Sequence, residues 1–132
     1  MSTMDVHVVT PEREVWSGPA QMVVARGVEG VVGLLPGHAP LLIRLGIDLL
    51  RIQDDTGAWE VAVVDGGFLH LTSGERGTRV DVLASHAQMA HEIDAVAAQA
   101  RLEELQREAA EHADAEAAVE LAKAHVRARL HR

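Results

Sequence analysis

Thr78-Arg-Val-Asp-Val-Leu-Ala84 runs directly into Ser85-His-Ala-Gln-Met-Ala-His-Glu-Ile-Asp-Ala-Val-Ala-Ala98, and the character of the chain changes there. All 11 Gly and all 4 Pro lie at or before Gly77. Of 21 Ala, 15 lie beyond Ala84. Val, Ile and Thr number 22 in residues 1–84 and 4 in residues 85–132. β-Branched residues suit pleated strands, and Gly and Pro punctuate turns. Ala is the best helix former. The first part therefore reads as all-β and the second as all-α. This is an α+β chain with a β domain over 1–86 and a helical domain over 87–132.

Working back from Ala84, short runs alternate with turn signals. Thr78 to Leu83 is one strand, with Ser73-Gly-Glu-Arg-Gly77 as the turn before it. Phe68 to Thr72 and Trp59 to Val64 flank Asp65-Gly-Gly67, which reads as a turn. Asp54-Asp-Thr-Gly57 reads as a hairpin turn after Leu49 to Gln53. Val31 to Leu35, Ala20 to Arg26, Glu14 to Trp16 and Asp5 to Thr10 complete the series, with Ser17-Gly-Pro19 and Pro11 as breaks. This spacing predicts a sandwich or a barrel, and strand count leaves both open.

Working forward, no Gly or Pro occurs from Thr78 to the end. Two helices fit, with a break at His112-Ala-Asp114 and Asp114 as N-cap of the second. The first starts either at a Ser85-His-Ala-Gln88 capping box or near His91, ahead of Ile93. Ala115, Ala118, Val119, Ala122, Val126 and Leu130 share one face of the second helix at helical spacing. An Ala stripe buries little area at about 25 cal/mol per Å². The expectation is an antiparallel hairpin, weakly held and able to detach. Residues 92–120 carry nine acids against Arg101 and Arg107, while 121–132 carry Lys123, Arg127, Arg129 and Arg132 and no acid. The helix macrodipole favours such a basic end, and so would docking to an acidic partner.

Composition excludes several classes. A net charge of −8 and three aromatics give neither the basic surface nor the stacking platform of a nucleic-acid binder. Zero Cys excludes disulfides and thiolate metal sites. No window reaches the roughly 20 apolar residues of a membrane span, and the N-terminus lacks the pattern of a signal peptide.

Catalytic signals are equally thin. The eight His are scattered and form no HExxH, so no metal site is expected. None of the four Ser sits in a GxSxG elbow, and no carboxylate pair is set by spacing alone. Gly27-Val-Glu-Gly30-Val-Val-Gly33 matches no phosphate-binding loop, because Pro36 and Pro40 intervene where a helix would follow.

Gly33-Leu-Leu-Pro-Gly-His-Ala-Pro-Leu-Leu42 stands apart. Two prolines and a glycine stiffen an apolar loop around His38. Such a loop serves as a sandwich corner or as an interface that loses little entropy on binding.

Here the sequence resembles a known family, the epsilon subunit of bacterial F-type ATP synthases, counterpart of the mitochondrial delta subunit. The resemblance is carried by Val15-Trp-Ser-Gly18, by Gly27 through Leu42, by Asp65-Gly-Gly-Phe68 and Val80-Asp-Val-Leu-Ala84. Ile93-Asp94 and Glu120-Leu-Ala-Lys123 continue it into the helices. It implies an N-terminal antiparallel β-sandwich of about ten strands followed by a C-terminal antiparallel αα-hairpin. It implies a non-catalytic central-stalk subunit that joins gamma to the c-subunit ring, turns with them during ATP synthesis, and sits peripherally on the cytoplasmic side of the bacterial plasma membrane. Glu29, Val31, Leu35, His38, Ala39, Pro40, Leu41 and Leu42 would form the interface with gamma and the c-ring. Val31 stands where many relatives are acidic or polar, and Glu29 is its substitute. The hairpin would be regulatory, blocking ATP hydrolysis and reaching the alpha and beta catalytic subunits through Lys123, Arg127 and Arg129.

Some relatives bind ATP through Ile/Leu-Asp-x-x-Arg-Ala. Ile93 and Asp94 match it, but Ala97 replaces the arginine and His125 replaces another. A triphosphate needs such cationic partners, so no cofactor is expected and ATP should bind weakly or not at all. The competing class is a small-ligand-binding β-sandwich with a helical dimerisation tail. The Ala stripe supports it, and the shortage of pocket aromatics opposes it.

Overall fold

The computed structural model describes residues 2–111 and 115–130. It divides into two compact units, the first running through Met89 and the second beginning at Ala90. The His112-Ala-Asp114 break, its Asp114 cap and Arg132 lie outside the described residues.

The first unit holds seven strands: β1 (Met4–Val9), β2 (Glu14–Gly27), β3 (Gly30–Leu34), β4 (Leu41–Asp54), β5 (Trp59–Gly74), β6 (Gly77–Leu83) and β7 (Ala87–Met89). They pair in the order β1-β6-β5-β4-β2-β3, with β7 on β5 and β1 also on β2. The double pairing of β1 closes a ring around one core. The sheet is antiparallel as expected, apart from one pair, β1 and β6, which run parallel. No hairpin links β1 to β6, so nothing local forces them antiparallel.

Seven strands replace the expected ten or so because three are long. β2 and β4 each have 14 residues and β5 has 16. Ser17-Gly18-Pro19 and Asp65-Gly66-Gly67 lie inside β2 and β5 rather than turning the chain. Within each long strand the inward phase slips by one residue. β5 buries Ala62 and Val64, then Leu69 and Leu71; β4 buries Leu45, then Leu50 and Ile52. Such a slip would otherwise turn every side chain outward, so it must coincide with a bend. The two bends coincide: Leu45 pairs with Gly67 and Ile47 with Asp65. Gly66 and Gly67 supply φ of +84° and +115°. A Cβ on Gly67 would fall on the Leu83 carbonyl oxygen, so the position admits glycine alone.

Strict alternation holds elsewhere. Met4, Val6 and Val8 of β1 meet Val80 and Val82 of β6 in the core. Each fully buried aliphatic side chain contributes roughly 1.5–3 kcal/mol. The expected Asp54–Gly57 turn forms. The Asp54 carboxylate accepts from the Thr56 N–H at 2.9 Å and the Ala58 N–H at 3.1 Å. The Thr56 hydroxyl, foremost, holds that carboxyl below its usual range.

The Ser85 capping box does not form, because the sheet uses those residues. Ser85 Oγ donates to the Asp65 carbonyl at 2.7 Å, and the Asp65 N–H donates to the His86 carbonyl at 2.9 Å. β7 then lies along Ala62–Val64, placing Ala87 and Met89 in the core. The β unit thus extends three residues past the 86/87 boundary read from composition.

The second unit has a 3-10 turn (Ala90–Glu92), α1 (Ala95–Glu111) and α2 (Ala115–Arg129). Asp94 starts α1 as N-cap: its Oδ1 accepts the Ala97 N–H at 2.9 Å. The helices pack through Leu102 and Leu105 against Ala124 and Ala128, with Leu121 at the edge. The Ala115–Leu130 stripe is not the packing face. Of its described side chains Val126 is buried, Leu130 half-buried, and Ala118, Val119 and Ala122 are exposed. The face carrying Leu121 wins because a leucine buries more area than an alanine.

Candidate interface site

Gly27 pairs with Gly30, leaving Val28 and Glu29 as a two-residue turn between β2 and β3. Gly30, at φ +137°, provides the backbone such a tight reversal demands. The Val28 N–H donates to the Arg44 carbonyl at 2.9 Å and ties the turn to β4. Among the described residues β3 pairs with β2 alone, and Leu41–Arg44 pair with β5 alone. Between these two free edges lies a groove of about 410 Å³. Val28, Glu29, Val31, Leu42 and Arg44 are among its lining residues. Val31 is 60% exposed and Leu42 65%.

The apolar surface continues onto β5 and β6. Phe68 pairs with Arg44 on one side and Leu83 on the other, and both apolar members of that row are exposed. The polar member of the row is Arg44, whose side chain is exposed.

The Leu35–Pro40 loop is pinned from one side. Gly37 has φ +83° and its N–H donates to Thr78 Oγ1 at 2.8 Å. Ser73 Oγ donates to the His38 carbonyl at 2.7 Å. His38 Nδ1 lies 2.7 Å from the Ala39 carbonyl, which draws the ring proton to that nitrogen. Thr78 is buried, so the loop is anchored on the β5–β6 hairpin.

The structure thus separates residues that are contiguous in sequence. Glu29, Val31 and Leu42 come together with Val28 and Arg44 at the groove. Leu35, His38, Ala39 and Pro40 sit on the anchored loop, and Leu41 packs against the core instead. Val28, Arg44, Phe68 and Leu83, which join this exposed surface, were not singled out from the sequence. The glycine pair before Phe68 was the available signal, since a bend there reverses which face Phe68 takes. Ile93 is half-buried ahead of α1, and Asp94 is occupied as its cap. On α2 the Lys123 ammonium lies 3.6 Å from Glu120, and Arg127 donates to the Lys123 carbonyl at 3.2 Å. Among the described residues no His, Asp or Glu cluster is placed to hold a metal.

The sequence matches the family described as ATP synthase, Delta/Epsilon chain, beta-sandwich domain over residues 3–90. The chain belongs to that ATP synthase delta/epsilon family. The match spans the first unit through β7. Two relatives extend the likeness through the helices. The ATP synthase epsilon chain of Thermobifida fusca is 42% identical over 93% of this chain and 89% of its own length. That of Syntrophomonas wolfei is 39% identical over 96% of this chain and 94% of its own. In fold, the chain is similar to one in the cryo-EM structure of Euglena gracilis mitochondrial ATP synthase, OSCP/F1/c-ring in rotational state 1. That likeness has a TM-score of 0.79 and 22% identity, covering 95% of this chain and 79% of that one. The groove and the pinned loop of this chain both lie within the matched residues.

Proposed function

We propose that this chain is a non-catalytic central-stalk subunit of an F-type ATP synthase, linking gamma to the c-subunit ring and turning with them during ATP synthesis. The observation that carries this is the apolar surface around the groove between β3 and β4. Val31, Leu42, Phe68 and Leu83 are large, exposed and held on strands, and exposed Val28 sits on the tight turn beside them. A partner covering them gains burial with little ordering cost. The anchored loop at Leu35, His38, Ala39 and Pro40 extends the same interface. Glu29 offers the polar contact to the c-ring that Val31 lacks. The subunit sits peripherally on the cytoplasmic side of a bacterial plasma membrane; no helix among the described residues is long and apolar enough to cross it.

The helical unit is the regulator in this proposal. Its extension would carry Lys123, Arg127 and Arg129 to acidic surfaces of the alpha and beta subunits and block ATP hydrolysis. ATP itself is a poor ligand here. Ala97 offers no cation, and the Asp94 carboxylate already accepts from the first turn of α1. The test is co-purification with gamma and the c-ring. The Val31→Asp/Leu42→Asp double variant should lose both partners while keeping its far-ultraviolet spectrum. Retention of both partners by a folded double variant would overturn the assigned surface.

A further inference from the structure

On the outer face of the seam where β1 closes the ring, His7 stands between two carboxylates. Its Nδ1 is 3.1 Å from Glu14 Oε1 on β2, and its Nε2 is 3.0 Å from Asp5 Oδ1 on β1. A neutral imidazole has one N–H and one lone pair, whereas carboxylates offer lone pairs only. Whichever nitrogen holds the proton, the other then aims a lone pair at an anionic oxygen. The imidazolium alone presents a proton to both. The Asp5 contact is off the hydrogen-bond direction, leaving the buried Nε2 without a well-aligned acceptor, so that side is held by charge. Glu14 takes the directed bond.

The surrounding elements push the same way. From β6, Asp81 is the register partner of His7, and Arg79 spans Asp5 at 3.6 Å and Asp81 at 2.9 Å. From β2, Ser17 lies opposite His7. From β5, His70 pairs with Asp81. Three carboxylates thus face one guanidinium around the ring, and a positive imidazole relieves the excess. The Glu14 bond first, then Asp5, raise the His7 pKa above 6.5, against the opposing effect of burial.

We infer that His7 is a proton-controlled fastener of β1 to β2: charged, it clamps the strand that closes the ring, and neutral, it sets a lone pair against a carboxylate and loosens that seam. Because the folded-state pKa is raised, the stabilisation is complete below pH 6.5 and is lost as pH rises through the folded value. The seam is therefore weakest on the alkaline side.

The experiment is an NMR pH titration of the full chain, with the His7 ring signals assigned by their loss in His7→Gln. Wild-type His7 should titrate above pH 6.5, and Glu14→Gln should lower its midpoint. Between about pH 6 and about pH 8.5, the thermal midpoint of wild type should fall by a few degrees more than that of His7→Gln. If His7→Gln does not fold, Glu14→Gln carries the thermal comparison. A His7 midpoint at or below 6.5, or parallel pH dependences for wild type and variant, would overturn the fastener.

Discussion

Leu41 and Leu42 are adjacent in β4 and serve opposite sides of the sheet: Leu41 packs against the core, whereas Leu42 is 65% exposed at the groove. One residue of register thus separates a stability position from an interface position.

Leu42→Asp should leave stability within about 0.5 kcal/mol of wild type, as surface changes usually do. It should still abolish co-purification with gamma. Leu41→Asp should cost about 2–3 kcal/mol, because it places a carboxylate at the core edge. Urea unfolding of both variants checks this. Equal stability losses would show that the two side chains are not divided as described.

Gly67→Ala should be severely destabilising, by about 3 kcal/mol or more. Its φ of +115° is strained for any L residue, and the added methyl meets the Leu83 carbonyl. Gly46→Ala in the partner strand should be mild, since nothing lies within 4 Å of a Cβ there. Thermal unfolding of the pair separates a close backbone approach from a general dislike of substitution in the bend.

Thr78→Val removes the hydroxyl that accepts the Gly37 N–H. The expected cost is about 1 kcal/mol. Hydrogen exchange at Gly37 should accelerate, and affinity for gamma should drop even though Thr78 is buried away from any partner. Unchanged exchange at Gly37 would mean that the loop is held by something else.

Asp94→Ala removes the N-cap of α1 and should cost about 1 kcal/mol, read as faster exchange in its first turn. Calorimetry of the wild-type chain should give no binding heat at micromolar ATP. Micromolar affinity that disappears in Asp94→Ala would reassign this residue from cap to ligand.

Truncation after Met89 keeps β7 on β5, whereas cutting earlier would remove core residues Ala87 and Met89. The truncated chain should still bind gamma and should raise ATP hydrolysis of the assembled enzyme several-fold. Unchanged hydrolysis in an intact complex would remove the regulatory role of the helices.

The division into β and α parts was legible because it is written in composition: β-branched residues with Gly and Pro before Ala84, and Ala after it. The Asp54–Gly57 turn and the strand beginning at Asp5 were legible because local residues set them. Reading Asp65-Gly66-Gly67 as a turn went wrong because a glycine pair serves a reversal and a mid-strand bend equally well. Ser85 looked like a cap because its spacing to Gln88 is right, yet the Asp65 carbonyl claims its hydroxyl.

Sequence by itself determined the two-part architecture, the family and the apolar stretch that ends at Leu42. Tertiary structure decided which side chains of that stretch face outward, because a phase slip is fixed by pairing with a neighbouring strand. It joined Val31 and Leu42 to Arg44 and Phe68 across β4 and β5, and it set His7 between Asp5 and Glu14. The groove residues meet because β2 pairs with β4 and β4 with β5, and Glu14 reaches His7 because β1 pairs with β2; no local pattern encodes a contact made only when separate strands meet.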